Sequence, residues 1–229
     1  MACMMARMPT PEERLTIEVP GAMPVSAAVT PGDDAFTALA LFHGAGAGMD
    51  HPFMSGFARA IGPEGVTTLR CNFPYMEAGK RSTDRQPVAV ATVRAAFEVA
   101  SMRAAQGEPV WVGGKSFGGR MASVAVAEGL PAAGVIFLGY PFHPPGKPER
   151  VRDEHLYGIE VPMLFVQGTK DPFATPVVRD AVVAKLPSAT LHLVEGGGHS
   201  LERSRKDDAR EVAASFAPLV AAFMRGEPI

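Results

Sequence analysis

The chain has 229 residues, of which 47% are hydrophobic and 20% charged, the composition of an ordinary globular protein able to bury a core of its own. Lys and Arg number 22 against 24 Asp and Glu, a net charge of −2, which excludes a strongly basic nucleic-acid-binding protein. Two cysteines, Cys3 and Cys71, exclude a disulfide framework and a Cys-rich zinc site, and no apolar run approaches the roughly 18 residues of a membrane-spanning helix.

The opening Met1–Pro9 has neither a basic leader nor a long apolar core and reads as a poor signal peptide. Met4, Met5 and Met8 are alternative starts, and residues 1–12 are expected to be flexible. A cytoplasmic protein with reduced thiols is the expectation. Cys71 is read as a small packing residue at a strand end, with a reactive thiol as the other reading.

Apolar runs of strand length alternate with segments of helical period. Thr16–Val19 and Val25–Val29 read as two short strands around a turn at Pro20-Gly21. Thr37–Phe42 is a strand that runs into His43-Gly44-Ala45-Gly46-Ala47-Gly48. Pro52–Ile61 is a short helix and Val66–Cys71 the next strand. Residues 78–86 are polar and read as a surface loop. Pro87 suits the first turn of a helix whose Val90, Val93, Phe97 and Ala100 share a face. Pro109–Val112 is a strand leading into Gly113–Gly119, and Arg120–Ala127 a small-residue helix. Gly134–Leu138 and Met163–Gln167 are buried strands, Phe173–Leu186 a helix, and Thr190–Val194 the last strand. Val212, Phe216, Leu219, Val220 and Phe223 make one face of a final helix, which Pro218 should kink. This alternation, with strands apolar throughout, implies one α/β domain over 1–229: a mostly parallel sheet with helices on both faces.

Gly114-Lys115-Ser116-Phe117-Gly118 matches Gly-x-Ser-x-Gly between a strand and a helix. Such a turn lifts a serine hydroxyl to the sheet's C-terminal edge, at a helix N-terminus that favours developing negative charge. Gly-Lys-Ser also ends a phosphate-binding loop, but that motif requires glycine at 109, where Pro109 stands. A plain glycine-rich packing turn is the alternative. A nucleophilic serine needs a base and an acid that orients it, in the chain order serine, acid, histidine on this class of fold. Asp171 and His199 each follow a strand and complete that order. His43, His51, His143, His155 and His192 lack the placement, and no metal-binding His spacing occurs. The oxyanion that acyl transfer creates needs two N–H donors. Phe117, after the nucleophile, is one; the small-residue loop supplies the other, from Ala45 or alternatively Gly44.

Leu41–Gly48, Asn72–Tyr75, Gly113–Arg120, Gly139–Gly146 and Gln167–Phe173 together resemble the α/β-hydrolase superfamily over about residues 36–205. Within it they resemble the small lid-less branch related to dienelactone hydrolases and to the KANSL3/Tex30-like proteins. The resemblance implies an α/β-hydrolase fold, a Ser116–His199–Asp171 triad and hydrolysis of an ester or related acyl bond with no metal or organic cofactor. Dienelactone hydrolases proper use a cysteine where this chain has Ser116, so dienelactone itself is not the expected substrate. Tyr140–Val161 is too short for a cap domain, which leaves an open site for a small-molecule acyl substrate. Phe73, Tyr75, Phe142 and Phe173 follow strand ends and are candidate pocket residues, with core packing the equal alternative. Lys115, Arg120 and Arg70 either favour an anionic substrate or are structural cations. The final apolar helix suits a monomer or a homodimer. Activity is expected to fall as pH drops through the His199 pKa, near the ordinary value of about 6.5 unless its surroundings shift it. A catalytically silent scaffold for protein interaction is the second reading, and acyltransferase or peptidase chemistry would share the same machinery.

Overall fold

The computed structural model describes residues 11–105 and 107–229. The expected flexibility of 1–12 falls mostly outside them; Glu12, which is described, is held by Arg14 and Arg70. Eight strands form one sheet: β1 (Glu13–Ile17), β2 (Val25–Thr30), β3 (Thr37–Phe42), β4 (Val66–Cys71), β5 (Val110–Lys115), β6 (Val135–Leu138), β7 (Met163–Gly168) and β8 (Ala189–Val194). Their spatial order is β1-β2-β4-β3-β5-β6-β7-β8. The β1–β2 and β2–β4 pairs are antiparallel, and the remaining pairs, from β4–β3 to β7–β8, are parallel.

Seven α-helices accompany the sheet among the described residues: α1 (Pro52–Ile61), α2 (Pro74–Glu77), α3 (Gln86–Arg103), α4 (Phe117–Ala127), α5 (Pro176–Val183), α6 (Ala209–Ala214) and α7 (Ala217–Met224). Because β3 is buried along its whole length, its alternate residues feed two cores. Ala38, Ala40 and Phe42 join the core under α3, α4 and α5. Leu39 and Leu41 join the core under α1, α6 and α7. Covering both faces is what permits an apolar parallel sheet, and it leaves the strand ends as the place for polar chemistry.

Several elements depart from the expected spans, among them β5, which runs on to Lys115, and α4, which already starts at Phe117. β1 begins at Glu13 and ends at Ile17, because this edge strand is registered against β2, Glu13 opposite Val29 and Ile17 opposite Val25. α5 begins at Pro176 and not at Phe173, since the Asp171 side chain accepts the Phe173 N–H and holds 171–175 as a turn. The final helix is broken into two and not merely kinked. α6 ends at Ala214, the residue whose carbonyl a continuing helix would press against the Pro218 ring. The segment from Tyr140 to Pro162 holds one 3-10 turn, Glu154–Gly158, and no cap. No helix among the described residues is long and apolar enough to cross a membrane.

Candidate active site

Ser116 stands between β5 and α4 with φ 49° and ψ −111°, a left-handed conformation that an L residue adopts only under constraint. The flanking glycines explain how the turn is tolerated. A Cβ on Gly114 would lie 2.2 Å from the Phe42 carbonyl oxygen, and one on Gly118 2.3 Å from the same atom. The neighbouring β3 therefore closes down on the turn only because both positions lack side chains.

His199 lies in the loop after β8 and reaches back to Ser116. Its Nε2 is 2.8 Å from Ser116 Oγ. Its Nδ1 is 2.7 Å from Asp171 Oδ2. Asp171, in the turn after β7, is buried and also accepts from Gln167 Nε2 at 2.6 Å and from the Phe173 N–H at 2.8 Å. Three donors from three directions leave the carboxyl one orientation, which fixes the imidazole as well. Gln167 in turn accepts the Tyr140 N–H at 2.9 Å. Gln167 carries no motif; its one signal in the sequence is that a polar residue inside an otherwise apolar strand must find partners when buried.

Two further contacts hold the His199 loop. The Lys115 Nζ donates to the His199 carbonyl at 2.7 Å. Lys115 is buried, and burial lowers its pKa to about 8. Gly139, with φ 73°, lets the same carbonyl approach, since a Cβ there would sit 2.5 Å from it. Burial pulls the His199 pKa below 6.5, and the Asp171 hydrogen bond opposes that pull only in part. The surroundings thus shift it down from the ordinary value: His199 stays neutral, and able to accept a proton, to lower pH than a free imidazole.

His43, directly after β3, is a fully buried imidazole. Its Nδ1 is 2.9 Å from the Gly44 carbonyl oxygen, and its Nε2 accepts the Phe73 N–H at 3.1 Å. One nitrogen accepts, so the other donates, and the ring is neutral; burial lowers its pKa to about 4. The Gly44 carbonyl and the Ala45 N–H belong to one trans peptide group and point in opposite directions. By holding the carbonyl, His43 turns the Ala45 N–H away from the core. The Phe117 N–H is the first of α4, where no intrahelical carbonyl exists to receive it. Gly44, Ala45 and Phe117 all line the same cleft as Ser116 and His199.

That cleft has a volume of about 440 Å³. Of the four aromatic pocket candidates, Phe173 alone lines it, its ring centroid 4.2 Å from that of His199 and the two rings tilted by 31°. Phe73, Tyr75 and Phe142 are fully buried and belong to the core beneath α3 and α4. Their backbones follow strand ends but their rings turn inward, Phe73 against Phe42 and Phe117, Phe142 against Tyr140 and Phe165. The rest of the wall comes from Thr83, Asp84 and Gln86 before and at the start of α3, and from Arg120, Met121, Pro141 and Arg152. A second hollow of about 340 Å³, with Phe53, Met54 and Lys115 in its wall, shares Gly44 and Ala45 with the cleft but not Ser116.

Two of the three cations singled out in the sequence are structural. Arg70 is fully buried, ion-paired with Glu12 and bonded to the Met49 carbonyl; Lys115 holds the His199 loop. Arg120 is in the cleft. Cys71 is buried, and burial pushes its thiol up to about 12, far from a reactive thiolate. Cys3 lies outside the described residues.

Solved structures with the same fold include a serine hydrolase without a lid from Xanthomonas campestris (22% identity, TM-score 0.74, covering 97% of this chain and 98% of that one). A dienelactone hydrolase from Anabaena variabilis is similar at 18% identity and TM-score 0.75, over 97% of this chain and 100% of the other. The esterase domain of a Rhodothermus marinus protein is similar at 15% identity and TM-score 0.73, over 95% and 99%. At these identities the likeness is one of fold. The model of the alpha/beta hydrolase domain family matches residues 35–225, nearly the whole described chain, and the protein belongs to that family.

Proposed function

We propose that this protein is a serine hydrolase of the carboxylesterase type, cleaving an ester or related acyl bond through Ser116, His199 and Asp171. The observation that carries the reading is the continuous chain of hydrogen bonds from Ser116 Oγ through both His199 nitrogens to Asp171, at 2.8 and 2.7 Å. It lies beside two N–H groups that can receive an oxyanion. The lid-less form of the Xanthomonas campestris neighbour and the short Tyr140–Pro162 segment support an open site. The run Gly113–Arg120 supports placement in the KANSL3/Tex30-like branch.

Ser116 Oγ attacks the acyl carbonyl carbon while its proton passes to His199 Nε2, and the carbonyl electron pair moves onto oxygen. The Ala45 and Phe117 N–H groups hold that oxygen. Asp171 accepts from Nδ1 throughout and stabilises the imidazolium. Collapse of the intermediate expels the alcohol, which leaves with the proton from Nε2, and the acyl group remains on Ser116. Water then repeats the sequence: its proton goes to Nε2, its oxygen to the acyl carbon, and Ser116 departs with the proton. The protein's own groups are regenerated.

Labelling with a fluorophosphonate probe, located by mass spectrometry, tests this reading. Native protein should be modified at Ser116, and heat-unfolded protein and Ser116→Ala should not be. Folded wild type that resists the probe would shift the reading to a silent scaffold.

A further inference from the structure

Arg120 follows Ser116 by four residues, one turn along α4, and lines the Ser116 cleft. Arg152, from the segment between β6 and β7, lines the same cleft. Elsewhere Arg70, Arg103 and Arg225 each pair with a glutamate. Among the described residues, neither Arg120 nor Arg152 has an ion pair or a side-chain hydrogen bond, and Arg120 Nε is sealed from solvent without a partner. The two guanidiniums feel each other: burial first, and then the Arg120 charge, hold Arg152 below the ordinary arginine range. The Arg120 charge also acts on His155, which burial has lowered to about 4. Asp84 is the one carboxylate in the cleft lining, and its Oδ2 accepts the Tyr75 N–H.

Two like charges in a half-buried cleft repel, and the arrangement is relieved by an anion between or beside them. With Asp84 opposing, the wall carries a formal charge of +1, which suits a monoanion better than a phosphate dianion. We propose that Arg120 and Arg152 form a carboxylate-binding subsite, so that the preferred substrates are esters bearing a free carboxylate, such as half-esters of dicarboxylic acids. The subsite rests on the serine hydrolase reading for its consequence. The bound carboxylate takes no part in bond making: one water is consumed, and the half-ester yields a dicarboxylic acid and an alcohol. Its role is to place the ester carbonyl over Ser116.

The test compares kcat/KM for monoethyl glutarate with that for ethyl hexanoate, which shares the leaving group and lacks the charge. Wild type should favour the half-ester, less so as salt is raised. In Arg120→Gln and Arg152→Gln the ratio should fall by about 10- to 100-fold, the scale of a lost charge-assisted pair. A merely structural role for the arginines would lower both substrates together and leave the ratio alone, which would overturn the subsite. Calorimetric titration of glutarate into Ser116→Ala separates this failure from failure of the hydrolase reading. Binding there that is lost in Ser116→Ala with both arginines replaced supports the subsite, whatever the chemistry at Ser116. No binding, or inorganic phosphate binding more tightly than glutarate, contradicts it. Fluorophosphonate labelling of the arginine variants reports independently on Ser116.

Discussion

Two imidazoles follow strand ends on the same rim of the sheet, and the fold uses them oppositely. His43 is wholly buried, with one nitrogen against the Gly44 carbonyl and the other receiving the Phe73 N–H. Both of its polar atoms are occupied by backbone, so it has no capacity left for a proton in transit. His199 is partly open, has a carboxyl on one side and a hydroxyl on the other, and so can exchange a proton with Ser116. The difference lies in what the partners can do. Backbone partners lock a tautomer, whereas a carboxyl and a hydroxyl allow the charge on the ring to change. His43 thereby becomes part of the frame that aims the Ala45 N–H, and His199 the group placed to carry the proton in the proposed hydrolysis.

Removing a member of the proposed triad should give the largest effects. Ser116→Ala and His199→Ala should each lower kcat for an activated ester by on the order of 10⁴- to 10⁶-fold, with thermal midpoints near wild type. Asp171→Asn should cost about 10³- to 10⁴-fold, since the amide no longer selects the tautomer that leaves Nε2 free to accept from Ser116; steady-state kinetics measures both. A loss of under tenfold in Asp171→Asn would dissolve the distinction drawn between the two histidines.

His43→Ala should act on stability first. It strands the buried Phe73 N–H, at a cost of about 1–3 kcal/mol, leaves the Gly44 carbonyl to the longer contacts from the Ala47 N–H and the Tyr75 hydroxyl, and opens a cavity. The urea midpoint should fall well below wild type, while kcat drops by only about 10-fold as the Ala45 N–H loses its aim. A midpoint unchanged from wild type would show that His43 is not part of the frame.

The pH responses are the mildest and the two rings separate there too. In the proposed hydrolysis the neutral His199 is the active form, so its lowered pKa should move the acid limb of kcat/KM below pH 6.5. A limb centred above 6.5 would contradict the burial argument. For stability, His43 and His155 have folded pKa values near 4, below the unfolded value of about 6.5. Between those limits the unfolded chain binds more protons than the folded one, so stability present above pH 6.5 is lost as pH falls toward 4. Denaturant midpoints at pH 7.5 and pH 5 should show that decline in wild type, and less of it in a His155→Gln variant.

The parts of the molecule legible in the sequence are those with a local signature. β3, β4 and α1 carry the predicted bounds because each is an apolar or amphipathic run closed by glycine, proline or a change of period. The meeting of Ser116, Asp171 and His199 was legible because each follows its own strand, and a parallel sheet gathers such ends at one edge. α2 was missed, since four residues cannot establish a period. Residues whose meaning depends on a distant partner were not legible in the same way. Phe73, Tyr75 and Phe142 occupy the same kind of position as Phe173, and only packing decides which rings turn inward. Arg152 carries no motif, and its place beside Arg120 exists only once the segment after β6 folds over α4.

The rate of fluorophosphonate labelling in wild type, His199→Ala and His43→Asn, each checked for native circular dichroism, tests the central claim most directly. Labelling of Ser116 should slow by on the order of 10³-fold or more in His199→Ala and by only about 10-fold in His43→Asn. Wild-type labelling in His199→Ala, or a greater loss in His43→Asn, would contradict the assignment of His199 as the base that activates Ser116.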